Sequence, residues 1–358
     1  MATVFKTFLN NDIKSTRTLL HEAIPLTGAL VSGTYGTFPD GGNIKNYAHG
    51  MFQSVYDYPY LSSSANHIYD LALGYSVSST LSASDNTQNA KKCNIYNQMA
   101  AVLMGYDAFG NIIRFDEDGD LSEGAKIDNA IFINFARLLQ KDEIKKGSFT
   151  IKLGGSASYL DANDSLLTIT DAGAQTNYRV NSVAGEYGIL TCSSGGALYP
   201  GGAIRKAGLI FYQAGVVVLS SSVFQGGPAT GALSGGDAMM NYGYDSIARA
   251  FTGSAISGNC DDIRHRISDI SFNNTTELNS TIHFCRANST DFNYSSNPSY
   301  LSASQIRVKN AQSDNPVAYM TSVGLYSPDN ELLAVAKLSE PLKKDPTNEM
   351  ILRVRLDY

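Results

Sequence analysis

The chain has 358 residues, a formal net charge of -6 and a sequence pI near 5.4. That acidic balance argues against nucleic acid as a partner, and no run approaches the roughly 18 apolar residues that mark a membrane-crossing helix. Charged residues make up only 17%, while Tyr (21) and Gly (32) are abundant and Trp is absent. A surface so poor in charge and so rich in Tyr, Asn and Ser suits packing against other protein, because such groups cost less to desolvate than Lys or Glu.

The first stretch, "MATVFKTFLNNDIKSTRTLLHEAIP", has polar residues throughout and no apolar h-region, so it does not read as a signal peptide. Within it, Asn10 and Asn11 as cap residues and Pro25 as a stop predict a short helix. The Gly/Tyr-rich region 27–75 is expected to be extended, since Tyr56, Tyr58 and Tyr60 alternate around Pro59. "NAKKCNIYNQMAAVLMGYD" predicts a helix from Ile95, Met99, Val102 and Leu103, ended by Gly105. "IDNAIFINFARLLQKDE" repeats the logic with Ile131, Phe135, Leu138 and Leu139, and a second helix is expected there.

From Gly147 the pattern changes to period two. "SFTIKLG", "SLLTITDAG", "TNYRVNS" and "EYGILTC" predict strands, and "AGLIFYQAGVVVLSSS" predicts two more around a Gln213-Ala214-Gly215 turn. A Gly-rich insertion follows at 224–238, then a weaker helical pattern in "DAMMNYGYDSIARAFTG" and a polar helical turn in "DDIRHRISD". "DISFNNTTELNSTIHFC" is one long strand with a break, or a strand pair. In the tail, a Ser327-Pro328-Asp329-Asn330 turn joins two strands. A closing strand puts Leu352, Val354, Leu356 and Tyr358 on one face, against Arg353, Arg355 and Asp357 on the other. The expected fold class is therefore α+β and β-dominated, in three parts. Residues 1–146 form a mixed helical and extended domain, 147–258 a β-rich domain with antiparallel strands, and 259–358 an antiparallel β module.

Chemistry-bearing motifs are incomplete. Asp116, Asp118 and Asp120 alternate as in a calcium loop, but the sixth and twelfth positions hold Leu121 and Ile127 instead of Gly and Glu, which favours an acidic turn. His21-Glu22 opens an HExxH pattern that Pro25 ends. Asp261 and His265 lie four apart, as a surface helical pair does, and His283 and Cys285 supply two metal ligands where a zinc site needs more. Nucleophile-elbow, phosphate-loop and dinucleotide motifs are absent. Scattered Cys93, Cys192, Cys260 and Cys285 read as reduced packing residues. No catalytic, cofactor-binding or metal-binding residue is assigned, and no cofactor is expected.

The C-terminal segment carries a resemblance. Val323-Gly324-Leu325-Tyr326, then Leu333-Ala334-Val335-Ala336, Pro341 with Lys344, and Leu352-Arg353-Val354 run in the order of a module recurrent in phage tail-fibre and tail-collar proteins. Asn330 stands where that family often has Gly. More broadly, "TRTLLHEAIPLTG", "FNNTTELNSTIHFCRAN", "FNYSSNPSYLS" and "LAVAKLSEPLKKDPTNE" resemble structural proteins of contractile-tailed phages of marine cyanobacteria. The resemblance implies a non-enzymatic virion subunit, assembled in the host cytoplasm and placed in the tail, baseplate or fibre-attachment region. Its expected partners are other virion proteins and copies of itself. The Asn/Ser/Thr-rich run 272–294 fits that role, because amides and hydroxyls satisfy buried partners without carrying charge into an interface. Rival readings are a host-glycan receptor binder using the tyrosine-rich stretch 47–75, a neck, collar or head-associated subunit, and an envelope hydrolase whose paired carboxylates need meet only in space.

Overall fold

The computed structural model describes residues 5–26, 42–47, 51–83, 87–122, 124–154, 166–192, 205–224, 247–252, 260–261, 263–264, 266–293, 301–302, 305–306 and 317–358. The fold is β-dominated and the chain forms two compact units. Unit 2 is one continuous stretch, Leu20–Thr276, and unit 1 joins Met1–Leu19 to Glu277–Tyr358. The expected boundaries at 146/147 and 258/259 both fall inside unit 2.

Two long strands cross the boundary between units, β1 (Ile13–Leu26) and β12 (Ile267–Ala287). Within unit 2 come β2 (Ile44–Asn46), β3 (Gln53–Tyr56), β4 (His67–Tyr75), β5 (Asn129–Phe135), β6 (Glu143–Ile144), β7 (Thr150–Gly154), β8 (Leu166–Thr170), β9 (Tyr187–Cys192), β10 (Arg205–Phe211) and β11 (Val216–Ser220). They form a large antiparallel sheet in the order β1-β12-β7-β8-β9-β10-β11-β5-β4-β3-β2. The expected turn at 213–215 joins β10 to β11, whose register runs from Phe211↔Val216 to Gly208↔Leu219. All five residues of β11 are buried, so both faces of this strand are covered and its sequence reads as an apolar run without alternation. Helix α1 (Thr87–Leu103) lies where expected and packs on β4 and β5. Its Tyr96 hydroxyl donates to the Ile127 carbonyl at 2.8 Å, and the ring meets Phe115 edge-on at 5.4 Å. Phe115, Phe132, Phe135, Phe149, Phe211 and Phe272 continue this aromatic core through the unit. Two short helices complete it, α2 (Arg137–Gln140) and α3 (Ile247–Thr252).

Unit 1 holds the distal part of β12 paired with β17 (Met350–Asp357), from Ser280↔Asp357 to Ala287↔Met350. A separate small sheet pairs β15 (Ala318–Tyr326) with β16 (Leu332–Lys344), and β13 (Leu301–Ser302) pairs β14 (Gln305–Ile306). The expected alternation of β17 holds through Asp357, but Tyr358, expected on the apolar face, follows the strand and is exposed. Val354 is buried with Leu352 and Leu356 half-buried on one face, while Arg353 and Arg355 are exposed on the other. Pro341 and Lys344 lie inside β16, where Met320↔Leu342 and Ser322↔Lys337 bracket an irregularity that accommodates the proline.

Several expectations are corrected. Residues 13–26 are a strand, not a helix, and only Asn10–Asp12 of the expected helix forms a short 3-10 turn. The Leu20–Ile24 spacing of four suits a helix and is also twice the strand period, so it does not discriminate. Pairing with β12 then decides in favour of the strand. The same ambiguity misled the reading of 127–143. Ile131 and Phe135 are four apart but belong to β5, which is wedged between β4 and β11, and only Arg137–Gln140 is helical. "TNYRVNS" contributes a single bridge, Arg179↔Tyr187, instead of a strand. The 272–287 part of the Asn/Ser/Thr-rich run lies in one continuous strand, β12. The Gly-rich insertion lies outside the described residues beyond Phe224.

Candidate functional site

The acidic loop is the first locus to test. Ligand atoms of Asp116, Asp118 and Asp120 lie within 4.8 Å of one another. Asp116 is fully buried, and its Oδ2 accepts from the Leu121 amide at 2.9 Å and from Lys126 Nζ at 2.8 Å. Lys206 Nζ lies 3.1 Å from Asp118 Oδ2 and holds that carboxyl below the usual range, while burial pushes neighbouring Glu117 up. Tyr187 Oη and Asn181 Nδ2 donate to the Gly119 carbonyl and fix the turn against β9. Two ammonium groups already meet the negative charge, and the buried carboxylate spends its oxygens on the backbone and Lys126. These donors fit an ion-paired turn better than a cation cage.

A second cluster is closed off from solvent. Gln53 Nε2 donates to Asp261 Oδ1 at 2.7 Å, and Arg264 reaches the same oxygen at 3.1 Å, all within the interior of unit 2. Asp261 is therefore a buried partner of Arg264 and not part of a surface pair; His265 lies outside the described residues. Nearby Lys92 is pulled down to about 8 by desolvation. Asn274 is likewise consumed internally. Its Nδ2 donates to the Leu139 carbonyl at 2.8 Å and its Oδ1 accepts from the Glu22 amide at 3.2 Å. His21 Nδ1 and Thr275 Oγ1 lie 3.1 Å apart, so the incomplete HExxH histidine serves strand pairing. The four cysteines are free, and burial raises the thiols of Cys93 and Cys285.

Accessible features remain. Unit 1 carries an apolar groove of about 890 Å³ between the N-terminal arm, β12, β15 and β17. Phe5 stacks edge-on against Tyr326 at 4.9 Å, and Phe8 packs 5.4 Å from His283. Ion pairs Lys6–Asp291 and Arg286–Asp12 anchor the arm. His283 and Cys285 both line the groove, and His283 Nδ1 is a buried polar atom with no partner there. Two loops of unit 2 present aromatic side chains. Between β3 and β4, Asp57 accepts from the Asn66 amide at 2.6 Å and from its Nδ2 at 2.8 Å, closing a loop that exposes Tyr58 and Tyr60. After α1, Asp107 organises a loop that exposes Phe109. The tyrosine-rich stretch thus divides, because Tyr69 and Tyr75 belong to the core.

The sequence reading missed the groove and the Phe109 loop. The groove draws its walls from both ends of the sequence, which no local pattern reports. The loop did have a local signal, since "DAFGN" pairs an Asx-turn former with glycine around one aromatic residue. No family model matches the chain, and neither does any curated protein or solved structure among those compared.

Proposed function

We propose that the chain is a non-catalytic structural subunit of a tailed-phage particle, present in multiple copies as a connector or decoration in the tail, baseplate or fibre-attachment region. One observation carries the assembly part of this reading. Among its described apolar residues, unit 1 buries Ile282, Ala287, Ala318, Leu325 and Val354, while Leu9, Leu332, Leu333, Val335 and Ile351 each stand more than half exposed. A module that leaves more large apolar side chains in water than it hides gains stability from a protein neighbour, at roughly 25 cal/mol per Å² covered. The particle itself is suggested by the resemblance of residues 322–358.

Labelling the subunit in purified particles and imaging them tests the placement. Density at a defined, repeated tail or baseplate position is the expected result, and absence from intact particles would refute it. A second reading, binding of a host glycan, draws on exposed Tyr58 and Tyr60 beside the Asp57–Asn66 pair. A glycan array with the purified chain tests it, with Tyr58→Ala and Tyr60→Ala as controls.

A further inference from the structure

Phe109 is 90% exposed, yet the loop that carries it is tightly ordered. Asp107 Oδ1 accepts from the amides of Phe109 and Asn111, each at 2.8 Å, and its Oδ2 accepts from Asn111 Nδ2 at 3.1 Å. The Asp107 amide donates to the Asn111 carbonyl at 2.8 Å, and Gly110 makes the return at φ +84. These bonds favour the ionised carboxylate and hold Asp107 below the usual range. An aromatic ring on a preformed tip loses little conformational freedom on docking, which is the property of an anchoring residue. Val102 and Tyr106, earlier on the same segment, and Val183, which lies beside Gly105, are also exposed.

Charge selects the surface that this tip can meet. Unit 1 contains eleven Lys and Arg against ten Asp and Glu, a formal +1, which leaves unit 2 with −7 of the chain's -6. Tip-to-tip contact between two acidic units is therefore opposed by repulsion, whereas contact with unit 1 is not. In the groove itself Lys6 and Arg286 are each paired with a carboxylate, Asp291 and Asp12, so the lining adds no repulsion against the tip, which carries only Asp107 as a charge. The groove walls are apolar, with Phe8, Met320, Leu325, Leu333, Leu352 and Leu356.

We infer that the Phe109 tip of one copy docks into the unit 1 groove of a second copy. This rests on the assembly reading and gives it a geometry. The contact joins two different surfaces, so each copy keeps one free tip and one free groove, and association continues until a ring closes or a filament grows.

Sedimentation velocity over a concentration series tests the inference, using Phe109→Glu, which spoils the tip, and Leu333→Glu, which spoils the groove. Both positions are exposed (90% and 69%), so the variants keep their fold, checked by circular dichroism. The wild type is expected to self-associate, and each variant alone to associate at least tenfold more weakly. An equimolar mixture retains one intact tip and one intact groove, so it forms a 1:1 heterodimer and nothing larger. Leu61→Glu, exposed on a different loop, should behave as wild type. Assembly of Phe109→Glu at wild-type concentrations, or failure of the mixture to pair, overturns the inference and leaves the assembly reading standing. A wild type that stays monomeric at every concentration overturns both.

Discussion

Asn330 closes the β15–β16 turn in the left-handed region, at φ +65, where Asn is among the few side chains tolerated. Its amide donates to the Ser327 carbonyl at 3.0 Å, and the Ser327 hydroxyl accepts from Asp329 and Glu331. Asn330→Gly should be neutral within a few tenths of a kcal/mol, whereas Asn330→Val should cost about 1–2 kcal/mol in a denaturant titration. Gly208 is stricter. A Cβ there would lie 2.0 Å from the Val218 carbonyl oxygen, a backbone atom in the centre of the sheet. Gly208→Ala must push β10 away from β11 and should cost about 2–4 kcal/mol, read as a lowered midpoint. Carboxylates of unit 2 shift both ways, with Asp107 and Asp118 held down and Glu117 and Asp171 pushed up, whereas those of unit 1 that shift all go down. Burial pushes Asp171 up although it accepts from Gly147, Phe149 and Tyr212, so unit 2 favours its neutral form. That contribution is complete below the ordinary value of 3.8 and fades as pH rises through the folded value. Backbone and side-chain donors hold Asp12, Asp291, Asp345 and Asp357 down, so theirs is present above 3.8 and fades as pH falls through the lowered values. Hydrogen exchange from pH 6 to pH 3 should show unit 1 losing protection first.

Among the elements, β12 has the widest set of partners. Its first residues pair β7, Asn274 and Thr275 pair β6, and the last eight pair β17. Removing Leu352–Tyr358 strips that last stretch of its partner. Val354 is buried and Leu352 and Leu356 are half covered, so the deletion should cost unit 1 about 3–6 kcal/mol from apolar burial alone. Limited proteolysis should then cut unit 1 readily while unit 2 survives, whereas Arg353→Ser and Arg355→Ser should be mild. A deletion variant with wild-type resistance would refute the β12–β17 pairing. This strand was legible in the sequence because alternation with charge on one face has no helical counterpart. β5 was not, because "AIFINF" is buried on both sides and its spacing of four satisfies either period. α1 was legible in part: buried Ile95, Tyr96, Ala100 and Leu103 follow the helical period, whereas Val102, one of the positions that predicted the helix, is exposed.

At the scale of the whole molecule, the extended aromatic core belongs to unit 2, and unit 1 relies on strand pairing, ion pairs and a thin apolar layer. Thermal unfolding should therefore depart from a single two-state transition, with unit 1 melting first and its midpoint rising with protein concentration if neighbours cover it. The low charge content and the late strands were readable from composition and period. Unit 1 itself was not, since it pairs Lys6 with Asp291 across almost the whole sequence. Nor were the candidate surfaces, because exposure is a property of packing and the exposed Leu333 and buried Leu325 belong to the same hairpin.

Because unit 1 is split around unit 2, the ribosome delivers its two halves at different times. Unit 2 has all its residues once Thr276 is made, but the β12–β17 pairing must wait for Met350–Asp357. At roughly 5–20 residues per second, that leaves on the order of 4–16 s in which Phe5, Phe8 and Ile13 have no finished groove to enter. During translation the nascent chain therefore passes through a stage with a completed core and a sticky, unmatched leading arm. Chaperones that shield short apolar segments should act at that stage, and a library of stalled chains would show protection of residues 5–13 only after β17 has emerged.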